Sequence, residues 1–324
     1  MKARLVKTFS VMALAISAAC MVSPVLADYP DKPIRMIVPY AAGGGADNVA
    51  RIIGQRLSVS LGQQVIVDNR SGAGGAIGAD VVAKAVPDGY TVLLDASAFA
   101  VNPAMRKLPF DAQADFVPVS LVVIAPNILV VSPSSPYKTM AEFLDYARKN
   151  PGKLSFASAG PGTASHLAGE TLNELAKLDL LHVPYRGGAP ALNDVMGGRV
   201  SSYFGNTAST LGHVASGSLP ALAIGSAKRS PLLPDVPTLI ESGLPNFVSQ
   251  EWNGVFVPKG TPADVVKRLA KDIAAAVADP ALKTNLEKLG LEPVGSTPEE
   301  FSKFVQTEIA RAASVVKARN ITVD

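Results

Sequence analysis

Val38-Pro-Tyr-Ala-Ala-Gly-Gly-Gly-Ala-Asp47 returns 145 residues later as Val183-Pro-Tyr-Arg-Gly-Gly-Ala-Pro-Ala-Leu192. An apolar, β-branched segment precedes each copy: Ile34-Arg-Met-Ile-Val38 in one case, Leu180-Leu-His-Val183 in the other. After each glycine cluster the chain enters an alanine-rich stretch of helical character. The order predicts a strand, a tight turn and a helix start, built twice. A helix start carries unpaired backbone N–H groups and a partial positive charge, and so readily receives an anion. A single cluster of this kind is more often a plain βα turn. Two of them, one in each half of the chain, predict two similar lobes that grip a negatively charged molecule between them.

The chain begins with Lys2, Arg4 and Lys7, continues through an apolar run from Phe9 to Ala19, and reaches Val25-Leu26-Ala27. A basic start, a short apolar stretch and small residues before a cleavage point make a secretory signal peptide over residues 1–27, cut after Ala27 to leave Asp28 first. The run is too short to span a membrane. A lipoprotein signal at Ala18-Ala19-Cys20 is the rival, against which Ser17 stands where an aliphatic residue belongs. Losing the leader lowers the Lys+Arg count from 30 to 27, equal to the 27 Asp+Glu. The mature chain is therefore formally neutral, which argues against a nucleic-acid or polybasic membrane surface. Cys20 is the only cysteine, so the mature protein has no disulfide, catalytic thiolate or Cys-zinc site. The remaining length exceeds one ordinary domain.

Strand-like runs alternate with helical patterns almost throughout. Strands are expected at 34–40, 64–69, 90–95, 117–123, 128–132, 154–157, 181–185, 201–204, 221–225 and 255–257. Helices are expected at 46–61, 76–85, 140–149, 163–177, 189–196, 263–277 and 298–319. Such alternation predicts an α/β fold with mostly parallel sheets covered by helices, and ligands at the carboxyl ends of strands. A second echo, Asn127-Ile-Leu-Val-Val-Ser-Pro-Ser-Ser-Pro136 with Asn253-Gly-Val-Phe-Val-Pro-Lys-Gly-Thr-Pro262, marks two strands that cross between lobes. Lobe 1 is then 28–127 plus 251–324, and lobe 2 is 128–250. The stripe Val265, Val266, Leu269, Ile273 and Val277 has helical spacing and reads as packing.

Four glycine loops carry the chemistry. In Tyr40–Asp47 the glycines let a ligand approach the backbone, and Asp47 either caps the following helix or holds a positive or hydroxyl group of the ligand. Asn69–Gly78 resembles a dinucleotide fingerprint only weakly, since Asp95 is loosely placed for the ribose and no Lys-Ser/Thr follows the glycines. Ala157–His166 is the most polar loop: Ser158, Thr163 and Ser165 supply hydroxyl donors, which bond a charged acceptor strongly. Thr163 also reads as a plain N-cap. His166 lacks a partner at metal-ligand spacing, as do His182 and His213. Tyr185–Pro190 adds Arg186, either a carboxylate fork or a surface residue. No Gly-x-Ser-x-Gly elbow is present, and no catalytic residue, metal or cofactor is assigned.

At these loops the sequence resembles a known family. YPDKPIRMIVPYAAGGGAD, VIVDNRSGAGGAIGAD, VPDGYTVLL, SAGPGTASHLAGE, HVPYRGGAPALNDVMGGRV and LPDVPTLIESGLP look like successive signatures of Bug-type periplasmic solute-binding receptors of tripartite tricarboxylate transporters. The resemblance covers essentially the whole mature chain. It implies a two-lobed, type II-like periplasmic binding protein that closes on a small organic carboxylate and passes it to a large and a small membrane component. It implies a monomer in the periplasm and no enzymatic activity. Carried over by position, ligand contacts fall at Tyr40, Ala42, Gly45, Asp47, Ala73, Ser97, Ser158, Thr163, His166, Arg186, Gly187 and Asn206. Asn206 departs from the Asp expected in many relatives, so an amide replaces a charge beside the ligand. A periplasmic enzyme acting on a carboxylate, which His166 and the nearby hydroxyls would favour, and a ligand-binding input to a sensor kinase are the competing readings.

Overall fold

The structure is a computed structural model and describes residues 29–318. The expected leader, its cleavage site and Cys20 lie outside the described residues. Among those residues the strands are β1 (Ile34–Val38), β2 (Val65–Asn69), β3 (Thr91–Ala96), β4 (Phe116–Val131), β5 (Ser155–Ser158), β6 (Leu181–Pro184), β7 (Ser202–Asn206), β8 (Ala221–Ile224), β9 (Gln250–Pro258) and β10 (Glu292–Pro293). The helices are α1 (Gly45–Leu61), α2 (Ala76–Ala83), α3 (Ala98–Met105), α4 (Met140–Lys149), α5 (Ala164–Ala176), α6 (Gly188–Met196), α7 (Thr207–Ala215), α8 (Ala263–Ala278), α9 (Pro280–Lys288) and α10 (Pro298–Ala318).

The strands follow the order β2-β1-β3-β9-β4-β7-β5-β6, with β8 and β10 also paired to β4. The outer strands are parallel, β1 with β2 and β3, and β5 with β6 and β7. Helical crossovers join them, as parallel pairing requires. Every pairing of β4 and β9 is antiparallel, so the architecture is mixed where mostly parallel sheets were expected. The reason is the path of the chain: it leaves along β4, returns along β9, and each runs against its neighbours.

β4 is one strand where two were expected. Residues Phe116–Pro126 pair with β9, and Asn127–Val131 pair with β7. Pro126, which has no N–H to give to a ladder, stands at the changeover. On the first side of that point Phe99, Phe116, Phe256, Phe301 and Trp252 form an aromatic core, with Phe99 and Phe256 stacked at 4.2 Å. On the other side, Phe143, Phe156, Leu172, Phe204 and Phe247 pack against one face of the strands, and Ile128, Val130, Leu192 and Val195 against another. The α8 stripe from Val265 to Val277 is buried throughout, as its spacing predicts.

Candidate ligand-binding site

Five helix starts meet at one point. α1 follows Gly44, α3 follows Ser97, α5 follows Thr163, α6 follows Gly187 and α7 follows Asn206. Residues at all five starts line a single cavity, completed by Tyr40, Ala96, Ala159, Tyr203 and Glu251. Each helix start brings up to about half a positive charge together with unpaired N–H groups. No lysine or arginine is among the lining residues. Attraction for an anion in this cavity therefore comes from backbone dipoles and N–H groups.

The loops are closed. Only about 20 Å³ is open to the centre of a water-sized sphere, little more than one water needs. Backbone and side-chain bonds cross the cleft: Ala41 N–H donates to the Arg186 carbonyl at 3.0 Å, and Asn48 Nδ2 to the Ala208 carbonyl at 2.9 Å. Arg106 Nη2 donates to the Pro161 carbonyl at 3.1 Å, and Thr207 Oγ1 to the Gly290 carbonyl at 3.1 Å. Close approach demands glycine here, since a Cβ on Gly45 would stand 2.7 Å from Asn206 Cγ.

Several buried polar atoms at this point have no hydrogen-bond partner. Ser97 Oγ and Asn206 Nδ2 are among them, both from cavity-lining residues, and so are both amide atoms of Asn253 behind Glu251. An unmade hydrogen bond at a buried group is costly, and an acceptor placed in the cavity would satisfy Ser97 and Asn206. Asn206 keeps its Oδ1 occupied with the Ala208 N–H at 2.8 Å, capping α7. Its amide nitrogen is thereby left pointing elsewhere.

Two carboxyls stand at the back of the site. Burial pushes Glu251 up to about 7, and the nearby Asn206 and Asn253 amides only partly oppose the shift. Burial also pushes Asp95 up to about 7, against hydrogen bonds from Ala96 N–H and Tyr40 OH, with Glu251 adding to the rise. Those bonds measure 2.7 and 2.8 Å. Burial and then Asp95 and Glu251 raise Tyr40 far above an ordinary phenol. Burial and then Glu251 raise Tyr203 similarly.

Of the expected contacts, Tyr40, Gly45, Ser97, Thr163 and Asn206 line the cavity. Asp47, Ser158, His166 and Gly187 are buried but outside the lining. Asp47 neither caps α1 nor faces the cavity. Its Oδ2 accepts from Gly43 N–H and Arg51 Nε, and its Oδ1 accepts from Asn69 Nδ2. Burial disfavours its charge, yet these bonds hold its pKa below the usual carboxylate value. Ser158 Oγ bonds His182 Nε2 at 2.7 Å and accepts from Gly160 N–H. His166 Nδ1 accepts from Gly162 N–H, and its ring stacks on His182 at 4.0 Å. Burial, then His182 and Arg106, press His166 down to about 3, and burial presses His182 down to about 4. Thr163 is the residue before α5, but its hydroxyl donates to the Gly160 carbonyl at 2.6 Å rather than capping the helix. Ala42, Ala73 and Arg186 are exposed and outside the lining.

The expectation omitted Tyr203 and Glu251 from the lining, and Asp95 and Asn253 behind it. A signal for Glu251 existed. It is an acid heading Glu251-Trp-Asn-Gly-Val-Phe-Val257, a run whose later residues read as a buried strand.

The sequence profile of the tripartite tricarboxylate transporter family receptor matches residues 49–321. The chain belongs to that receptor family. BugT of Bordetella pertussis is 38% identical to the receptor over 315 residues, covering 96% of this chain and 97% of BugT. The solved structure of the periplasmic binding protein BugD is 39% identical with a TM-score of 0.88, over 91% of this chain and 99% of that one. A protein of R. palustris solved with adipate is 34% identical with a TM-score of 0.88, over 91% and 99% of the two chains. MatC from Rhodopseudomonas palustris with bound malate is 34% identical with a TM-score of 0.83, over 89% and 100%. The receptor thus has the two-lobed fold of periplasmic binding proteins, and solved relatives hold carboxylates.

Proposed function

We propose that the receptor captures one small organic carboxylate per chain in this cavity and delivers it to the large and small membrane components of a tripartite transporter. The observation that carries the reading is the convergence of five helix starts and two unpartnered side-chain donors, Ser97 Oγ and Asn206 Nδ2, on a cavity with no lysine or arginine in its lining. Such a site holds an anion through many neutral donors. The receptor acts as a periplasmic monomer, exported by a leader over residues 1–27. Its lobes are 28–127 with 251–324, and 128–250. The changeover of β4 from β9 to β7 at Asn127, and the start of β9 at Gln250, support these limits. It performs no chemistry on the ligand: the His166 ring accepts a loop N–H and lies outside the cavity lining.

The test is a panel of mono-, di- and tricarboxylates and aromatic acids, malate and adipate included. Ligand at ~100 times its dissociation constant adds about 2.7 kcal/mol to stability. The expected result is a melting shift of several degrees for at least one acid, a smaller scattering radius, and recovery of that acid unchanged. No shift across the panel would refute carboxylate capture, and conversion of the acid would refute the transport reading.

A further inference from the structure

We propose that Glu251 binds the ligand as a neutral carboxylic acid, donating a hydrogen bond to a ligand oxygen, so that the site selects organic acids without an ammonium group and takes up a proton as it fills. This rests on the carboxylate-receptor reading above.

The geometry poses the problem that the proposal solves. Glu251 lines the same small cavity as the five helix starts. An ionised Glu251 would set a second negative charge beside a bound carboxylate, with no lysine or arginine in the lining to balance it. The other groups facing it offer no positive charge. Asp95 comes from β3, Tyr40 from the turn after β1, Tyr203 and Asn206 from β7, and Asn253 from β9. The Asn206 and Asn253 amide nitrogens lie near enough to Glu251 to hold its pKa down in part, yet neither reaches it with full hydrogen-bond geometry, and both stand without a partner. An ionised carboxylate in so small a cavity would claim such donors, whereas a protonated one needs an acceptor, which a ligand oxygen supplies. The direction of its pKa agrees, since Glu251 is already half-neutral near pH 7 before any anion arrives. A bound anion raises it further. An ammonium group would reverse the logic by favouring the ionised form.

Isothermal titration of the wild-type receptor, Glu251→Gln and Asp95→Asn tests this with malate, adipate and aspartate, the amino counterpart of malate. Wild-type Kd for malate or adipate should be flat below about pH 6 and rise up to about tenfold per pH unit above about pH 7.5. Buffers of different ionisation heat should report close to one proton taken up at pH 8. Glu251→Gln, which keeps a donor, should bind within about threefold of wild type at pH 6 with the pH dependence flattened. Aspartate should bind the wild type more weakly than malate does. Tightening with rising pH, a loss above about tenfold in Glu251→Gln at pH 6, or a pH dependence removed by Asp95→Asn instead, overturns the proposal. If the wild type binds no acid of the panel at all, the receptor reading falls and this inference with it. If it binds an acid but Glu251→Gln loses more than about tenfold at pH 6, or the wild type tightens with rising pH, only this inference falls.

Discussion

Gly187 and Ala41 meet across the cleft so closely that a Cβ on Gly187 would stand 2.6 Å from the Ala41 nitrogen. Beside them the Ala41 N–H donates to the Arg186 carbonyl at 3.0 Å. The two echoing loops of the sequence therefore face each other and form part of the closed lobe contact. Gly187 also has φ +147°, a backbone conformation that disfavours side chains. Gly187→Val should hold the loops apart. Binding of the best acid should weaken at least tenfold, or about 1.4 kcal/mol, and the ligand-induced fall in scattering radius should shrink. Unchanged closure would show that this contact does not gate the site.

Ser97 Oγ lies in the cavity wall without a partner. Removing it takes nothing from the empty protein, so Ser97→Ala should leave the unliganded melting temperature the same or slightly higher. With ligand bound the hydroxyl donates to a charged acceptor, worth about 1.5–3 kcal/mol. Calorimetry should show a loss of that order, and equal affinity for the two proteins would remove Ser97 from the contact set.

Thr163 gives the opposite pattern. Its hydroxyl is committed to the Gly160 carbonyl and lies 3.0 Å from Ser165 Oγ. Thr163→Val should cost about 0.5–1.5 kcal/mol of stability, the net worth of one hydrogen bond, with a smaller effect on binding than Ser97→Ala. Urea titration and calorimetry on the two variants separate a loop fastener from a ligand donor. Arg186→Gln, at an exposed side chain, should change affinity by less than about 1 kcal/mol, the range of surface charges.

The glycine loops were legible because glycine clusters after β-branched runs have one cheap local explanation, a tight βα turn. Met140–Lys149 matches the expected helix to the residue, and Thr139 and Glu142 form a reciprocal capping box at its start. α3, which carries Pro103 in its interior, was not among the expected helices. α7 and α9 were missed although Asn206 and Asp279 cap them. Side-chain type misled where burial decides the role. Asp47, read as a helix cap or a ligand contact, is spent on its own loop, while Arg186, read as a carboxylate fork or a surface residue, is exposed. Glu251 showed in the sequence only as an acid heading an apolar run; its place in the site follows from β9 returning from the second half of the chain to lie between β3 and β4.

Four groups around the site set the acid response of the unliganded receptor. His166 and His182 titrate near 3 and 4 when folded, below the ~6.5 of an unfolded histidine. The unfolded chain therefore binds more protons, and their contribution is lost as pH falls from about 6.5 toward those values. Asp95 and Glu251 are shifted the other way, to about 7, from roughly 4 when unfolded. Their folded forms hold protons that the unfolded chain has released, so stability falls as pH rises from about 4 to about 7 and stays reduced above it. Between about pH 4.5 and 6.5 the two pairs oppose each other and flatten the profile. Glu251→Gln removes one of the acids that gain on acidification. Relative to wild type, it should be more stabilised at pH 8 than at pH 5, and its stability should fall more steeply from pH 6.5 to 4.5. Melting curves of the two unliganded proteins across that range decide the point. Parallel curves would mean that Glu251 is ionised in the folded protein as readily as in the unfolded chain.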